Sequence, residues 1–270
     1  MTRVEKIGLI AGNRNFPLLF ARSAKKNNKY IVAIAIRGET DRALAKIADE
    51  IHWISLGEFQ KMVDIFKSSG VERVVMAGQI SPRRLFSRQV RQSAYIQSLL
   101  KTIKDKKADT IFGAVAGELN GVGLKLDDSR IFMDEYIPVK GTLTKKEPSF
   151  LDWEDIYFGF DLAKAIAYLD IGQTVAVKDK AVIAVEAFEG TDNLIRRAGK
   201  TAAGGIAVVK VAKPKQDMRF DIPVVGYKTI VNLIKAKAKC LAIESGKTLF
   251  IDKERSLALA DKKGLSIVAL

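Results

Sequence analysis

Apolar positions in the first half of this chain alternate between short dense runs and stretches with helical spacing. Lys6–Ala11, Tyr30–Ile36, Ile51–Ser55 and Val71–Ala77 have the length and β-branched content of buried strands. Between them the helical period runs from Pro17 to about Asn27, near Thr40–Ala48, and from Glu58 to Ser69, where Gly70 stops it. Strands alternating with helices at this spacing predict right-handed βαβ units and a mostly parallel, Rossmann-like sheet. Helices are predicted again over Ser87–Lys106 and Ala108–Leu119, and a strand over the apolar Phe132–Lys140. Gly141–Pro148 has the turn and charge chemistry of a linker. The predicted architecture is therefore α/β, with a Rossmann-like domain at 1–140, a short linker at 141–150 and a second α/β domain at 151–270. That second half reads as a helix over Asp155–Leu169, a strand at Thr174–Val177, then two apolar runs, Val182–Val185 and Ile206–Val211. A helix over Thr229–Lys237, strands at Leu241–Ile243 and Leu249–Ile251, a helix over Lys253–Lys262 and a strand at Leu265–Ala269 complete it.

The two runs in the second half empty into charged loops. Val182–Val185 leads to Glu186, Glu189 and Asp192, with Gly190 freeing the backbone between them. Ile206–Val211 leads to Lys213, Lys215, Gln216, Asp217, Arg219 and Asp221, fenced by Pro214 and Pro223. If the two strands are parallel and adjacent, both loops leave the edge of the sheet where open α/β sheets bind ligands. Up to five carboxylates and several cations then face one crevice, which suits a divalent metal and phosphate, since hard cations take oxygen ligands and lysines take phosphate charge. Glu186 is the most telling of the acids, because a carboxylate directly continuing an apolar strand is costly without a partner. Asp192 has a second reading as the cap of a helix over Asn193–Ala198. Asp217 and Asp221 can also be read as exposed loop acids, and Arg196 and Arg197 serve either phosphate or surface pairs.

In the first half, Lys6–Ala11 ends in Gly12-Asn13-Arg14-Asn15-Phe16-Pro17 ahead of a helix. A strand, a turn and a helix N-terminus make an anion cradle from free N–H groups. It is not a dinucleotide fingerprint, because only Gly12 is present where three glycines are needed. Asn13 and Asn15 tolerate left-handed backbone in place of glycine. Val71–Ala77 ends in Gly78-Gln79, followed by Arg83 and Arg84, so the topology places this turn at the same end of the sheet as Gly12. Gly12, Asn13 and Gln79 are candidate substrate contacts; Arg83 and Arg84 meet either a phosphate or solvent.

Composition narrows the chemistry. His52 is the single histidine and Cys240 the single cysteine, so histidine triads, cysteine metal clusters and internal disulfides are excluded by count. His52 reads as structural or surface and Cys240 as a buried thiol. No apolar run reaches the roughly 18 residues of a membrane span, and Met1–Ile10 carries charges where a signal peptide needs its apolar segment, so a cytoplasmic location is expected. The net charge of +14 divides as +10 over residues 1–150 and +4 over the rest. No zinc-finger spacing, RNP-like aromatic string or continuous basic arm accompanies it, so no nucleic-acid partner is expected. Runs such as Lys25–Lys26 are either solvated faces or an attraction to an anionic membrane surface, on the order of 1 kcal/mol per cation.

The strings VEAFEGTD (185–192), a following GG, and KVAKPKQDMRFDIPVVG (210–226), with an N-terminal IAG and FP, resemble the LpxI family of UDP-2,3-diacylglucosamine pyrophosphatases of lipid A synthesis. The resemblance extends over most of the chain, although the family carries more glycine where Asn13 and Asn15 stand. It implies hydrolysis of UDP-2,3-diacylglucosamine to UMP and 2,3-diacylglucosamine 1-phosphate, dependent on Mg²⁺ or Mn²⁺, by an enzyme peripheral to the cytoplasmic face of the inner membrane. It points to Glu186, Glu189, Thr191 and Asp192 in the first string and to Lys213, Gln216, Asp217, Arg219 and Asp221 in the second. Asp217, Asp221 and Glu186 are the catalytic candidates; those three with Glu189 and Asp192 are the metal candidates; Thr191, Lys213, Gln216 and Arg219 are candidate substrate contacts. Which acid holds metal and which orients water stays open, as does oligomeric state, a homodimer included. A dinucleotide oxidoreductase and a carrier of anionic lipid are the competing classes.

Overall fold

A computed structural model describes residues 4–80, 93–103 and 108–270. Arg83, Arg84 and residues 87–92 and 104–106 of the helix predicted over Ser87–Lys106 lie outside the described residues. The chain forms two units: unit 1 comprises Met1–Met133 with Asp217–Asp221, and unit 2 comprises Asp134–Gln216 with Ile222–Leu270.

Unit 1 is built on five parallel strands, β1 (Lys6–Ala11), β2 (Tyr30–Ile36), β3 (Glu50–Ile54), β4 (Arg73–Ala77) and β5 (Lys125–Leu126), in the order β3-β2-β1-β4-β5. Every residue of β2 after Tyr30 is buried, as expected for a parallel strand covered on both faces. Val32, Ile34 and Ile36 pack with Met62, Val63 and Phe66 of helix α2 (Phe59–Ser68) and with Ala116 and Leu119 of helix α4 (Ala108–Gly121). Helix α1 (Phe16–Lys26) buries Phe16, Leu18, Leu19 and Phe20. Helix α3 is the described part of the long predicted helix, Ala94–Thr102, capped by the Ser93 hydroxyl. Two expectations change here. Only Arg42–Lys46 of the stretch near Thr40–Ala48 is helical, as a 3₁₀ turn, because the Asp41 side chain accepts the Ala43 N–H and fixes a tight entry. Phe132–Lys140 is not a strand: Phe132 has φ 63° and Asp134–Tyr136 is a 3₁₀ turn, so the backbone cannot stay extended.

Unit 2 holds a mixed sheet of β6 (Gly141–Thr142), β7 (Thr174–Lys178), β8 (Ala181–Val185), β9 (Ala207–Lys210), β11 (Cys240–Ile243) and β13 (Ser266–Ala269), in the order β6-β13-β11-β9-β7-β8. Strands β9, β11 and β13 are parallel; β7 runs against both β9 and β8, and β6 against β13. Residues 141–150 lie within this unit, where Gly141 and Thr142 pair with β13 and Ser149 with Asp152 forms a capping box that opens helix α5 (Phe150–Tyr168). The two-residue period of the strands assigns the two faces. Val175, Val177, Val209 and Val268 pack with Ile156, Ala163 and Ile166 of α5. Ala176, Val208, Leu241, Ile243 and Ile267 face α6 (Thr191–Thr201), α7 (Tyr227–Lys235) and α8 (Lys253–Lys263) through Leu194, Ile195, Ile230, Leu233 and Ala260. A short parallel pair, β10 (Val224–Val225) with β12 (Leu249–Phe250), lies outside this sheet. Cys240 is fully buried in β11, and burial pushes its thiol pKa up, as fits an inert thiol.

Candidate active site

Strands β8 and β9 are not neighbours, which corrects the adjacency expected from the sequence. The turn Asp179–Lys180 has φ of 52° and 56°, a left-handed pair that folds β8 straight back along β7, and Asp155 accepts both of its N–H groups at 3.1 and 2.7 Å. Strand β7 therefore lies between them. Because β8 and β9 both oppose β7, they share a direction, and the loops that follow them leave the same edge of the sheet.

At that edge the first residue beyond β8 turns inward. The Glu186 N–H donates to Thr174 O at 2.9 Å, continuing the ladder, and the residue is only 7% exposed. Its close neighbour is Gly172, where a Cβ would stand 2.0 Å from Glu186 O, so no other residue fits there without moving the strand end. Thr191, the first residue of α6, donates its hydroxyl to Glu186 Oε1 at 2.9 Å. Lys210, the last residue of β9 and 6% exposed, donates to Thr191 Oγ1 at 2.8 Å. Among the described residues, Glu186 Oε2 is buried and has no hydrogen-bond partner. Lysine 210 was not among the sequence candidates. Its signal is the one that drew attention to Glu186, a charge set in an apolar strand, but it lies inside a run read as strand.

The other charged candidates of unit 2 are held in pairs. Glu189 bonds Arg197 at 2.6 Å and the Ala187 N–H at 3.1 Å, and the Arg197 contact holds its carboxyl below the usual range. Asp192 faces Lys228 at 3.2 Å and makes no side-chain cap on α6, whose N-cap is Gly190. Arg196 bonds Asn193 and the Asp192 carbonyl. Lys213 pairs with Asp170 at 2.8 Å, and its N–H donates to the Gln216 side chain at 2.6 Å. Further along the same edge, Glu244 follows β11 and accepts from Lys164 at 2.8 Å, Lys247 at 2.6 Å and the Ala212 N–H at 2.9 Å. Phe188, at the tip of the Glu186–Gly190 loop, is 97% exposed.

Unit 1 brings its own candidates together where the strand order reverses, at the C-terminal ends of β1 and β4. Gly12 N donates to Ala77 O at 2.8 Å, and Asn13 forms a single antiparallel bridge with Gln79. A Cβ on Gly12 would lie 2.4 Å from Gln79 O, so the glycine is there for close backbone approach. Asn13 also donates to Glu39 at 2.6 Å. The excursion Asp217–Asp221 docks beside β4 through Ser129, whose N–H donates to Met218 O at 2.9 Å. The Ser129 hydroxyl lies 2.6 Å from Met76 O and 2.5 Å from Arg219 O. Arg219 makes a forked contact with Asp217, the closest approach being 2.6 Å, and this guanidinium holds the Asp217 carboxyl below its usual range. Asp221 N donates to Asp217 O at 3.0 Å, setting the two acids one turn apart.

The five acids read as metal ligands thus divide between the units, three in unit 2 and two in unit 1. Among the described residues no three His, Cys, Asp or Glu side chains form a group that could hold a metal ion. Magnesium needs only one or two carboxylates, with waters and substrate oxygens completing its shell. Among the described residues, Glu186 Oε2 is a buried carboxylate oxygen without a hydrogen-bond partner and fits this demand, whereas Glu189, Asp192 and Asp217 are each held by a cation.

Comparison with known proteins divides the chain near the same boundary, between residues 136 and 139, and keeps Asp217–Asp221 with the C-terminal part. The family model described as the LpxI N-terminal domain matches residues 6–136, and that of the LpxI C-terminal domain matches residues 139–268. A relative from Caulobacter vibrioides, named UDP-2,3-diacylglucosamine pyrophosphatase LpxI, is 30% identical across 280 aligned residues, covering 99% of this chain and 98% of its own. The chain belongs to the LpxI family. Solved structures resemble this LpxI family member far more weakly. The biotin carboxylase domain dimer of Hydrogenobacter thermophilus 2-oxoglutarate carboxylase is 15% identical, with 73% of this chain and 42% of that chain covered and a TM-score of 0.29. For N5-carboxyaminoimidazole ribonucleotide synthetase from Thermotoga maritima the values are 18%, 68%, 42% and 0.24. The chain spans well under half of either protein, and likeness at that level says nothing about its chemistry.

Proposed function

We propose that this protein hydrolyses the pyrophosphate bond of UDP-2,3-diacylglucosamine, releasing UMP and 2,3-diacylglucosamine 1-phosphate, with Mg²⁺ or Mn²⁺ as cofactor. The observation that carries the reading is the full-length relation to the Caulobacter vibrioides pyrophosphatase. The residues support it, because both strings that suggested the family fall at strand ends, Glu186 beyond β8 and Asp217–Asp221 beside β4. Cleavage of a pyrophosphate asks for charge neutralisation and an oriented water more than for covalent chemistry. Lys210, through Thr191, and Arg219, directly on Asp217, are cations tied to these acids, and Glu186 has an oxygen to spare. A bound divalent ion would meet Glu186 and supply charge neutralisation at the diphosphate. The excess of cations, +14 over the chain, supports peripheral attraction to the anionic lipid in which such a substrate lies. Among the described residues no helix is long and apolar enough to cross a membrane.

One experiment tests both parts. The protein is incubated with the diacylated UDP-sugar in anionic vesicles, with Mg²⁺ or with excess EDTA, at low and at raised salt, and UMP is measured. UMP release that needs the metal and falls as salt rises is the expected result. No UMP under any condition would defeat the hydrolase reading, and undiminished turnover in EDTA would remove the metal from it.

A further inference from the structure

The family strings account for Glu186 and Thr191 but assign nothing to the buried lysine that donates to Thr191. Lys210 and Glu186 are both more than nine-tenths buried, at the ends of strands separated by β7, and Thr191 bonds both. Direction in this chain of bonds follows from donor chemistry. An ammonium has three protons and no acceptor, so Lys210 can only donate to Thr191 Oγ1. A threonine hydroxyl has one proton, and the carboxylate at 2.9 Å is a stronger acceptor than the Thr174 hydroxyl at 3.4 Å. The order is thus ammonium to hydroxyl to carboxylate, ending on Glu186 Oε1. Among the described residues, Glu186 Oε2 is left buried without a hydrogen-bond partner, a costly arrangement that a protein keeps where a ligand, ion or water completes it.

We propose that Lys210 is a positioning residue for this site: acting through Thr191, it fixes Glu186 so that Oε2 stays available to the reaction. The inference rests on the hydrolase reading for its kinetic consequence. A merely structural tie between α6 and the sheet would lower stability and leave turnover alone. A positioning role lowers kcat with little change in KM.

The test uses the full chain with Lys210→Met, Thr191→Val, Thr191→Ser and the Lys210→Met/Thr191→Val double variant. Lys210→Met and Thr191→Val should each lower kcat at least ~30-fold with KM within about threefold, and the double variant should lose no more than the worse single one. Thr191→Ser, which keeps the hydroxyl, should recover most of the activity lost in Thr191→Val. Independently of activity, the NMR signal of the Lys210 side-chain ammonium should shift in Thr191→Val and keep its wild-type position in Thr191→Ser. Near-normal kcat in Lys210→Met, multiplicative losses in the double variant, or an unshifted Lys210 signal in Thr191→Val would each overturn the relay. Wild-type protein that releases no UMP yet shows the Lys210 shift in Thr191→Val would overturn the hydrolase reading and leave the bond chain standing.

Discussion

Asp217 sits in a position where catalysis and local folding can be separated by one substitution. Its carboxylate is forked by the Arg219 guanidinium and also accepts the Arg219 N–H at 3.1 Å, yet it remains partly open to solvent. An ion pair of that exposure contributes about 0–1 kcal/mol to stability. If Asp217 or Asp221 meets the metal or the attacking water, Asp217→Ala or Asp221→Ala should lower kcat at least ~100-fold, about 2.7 kcal/mol of barrier. Thermal unfolding of the same variants should move little. Two variants with near-normal turnover would take both acids out of the reaction. The residue scale is also where the sequence was most uneven. Glu186 was legible because a carboxylate ending an apolar strand demands a partner, and the same logic applied to Lys210 two strands over in the sheet. Glu189 and Asp192 looked equivalent to Glu186 in composition. Their cations, Arg197 and Lys228, are set by the packing of α6 and α7, which no local pattern reveals.

Elements in this fold are joined at their ends by buried charge, and Glu244 shows what that implies for pH. It follows β11 and collects Lys164 from α5, Lys247 from its own turn and the N–H of Ala212 beyond β9. Burial by itself would raise its pKa, but these donors together bring it below the ordinary 4.5. A carboxyl lowered on folding stabilises the native state above its unfolded pKa, and the stabilisation is lost as pH falls through the folded value. Urea unfolding from neutral pH downward should therefore show wild-type stability declining below about pH 4.5. Glu244→Gln should be less stable at neutral pH and decline less steeply over that acid range; parallel curves for the two proteins would refute the assignment. Element existence was largely readable, since strands such as Tyr30–Ile36 and Leu241–Ile243 announce themselves by apolar runs. The order of strands in unit 2 was not. It turns on the Asp179–Lys180 hairpin, whose residues lack the Asn-Gly or Asp-Gly signature of left-handed two-residue turns.

At the scale of the whole molecule the chain leaves unit 2 after Gln216, passes through unit 1 for Asp217–Asp221, and returns at Ile222. Nothing in the string QDMRFDI marks that excursion, because its partners lie about 90 residues earlier in the chain. Within unit 1 it is held by the Ser129 N–H on Met218 O, by Ser129 Oγ beside Arg219 O, and by Phe220. The Phe220 ring stands 5.6 Å from that of Phe112 and packs against the cluster of Met62, Phe66 and Leu119. Removing a half-buried phenylalanine from such a cluster costs on the order of 2 kcal/mol. The excursion should therefore hold fragments together after the chain is cut elsewhere. A protease site placed between Val139 and Lys140, both exposed, divides the protein into 1–139 and 140–270. After cleavage under native conditions the two fragments should elute as one species, since the second still supplies Asp217–Asp221 to unit 1. Phe220→Ala should make the cleaved protein dissociate on dilution at a concentration at least ~10-fold higher than the parent requires. Fragments that separate at once would show that the excursion is not a stable part of unit 1. Equal dissociation of parent and Phe220→Ala would show that something other than this docked segment holds the fragments together.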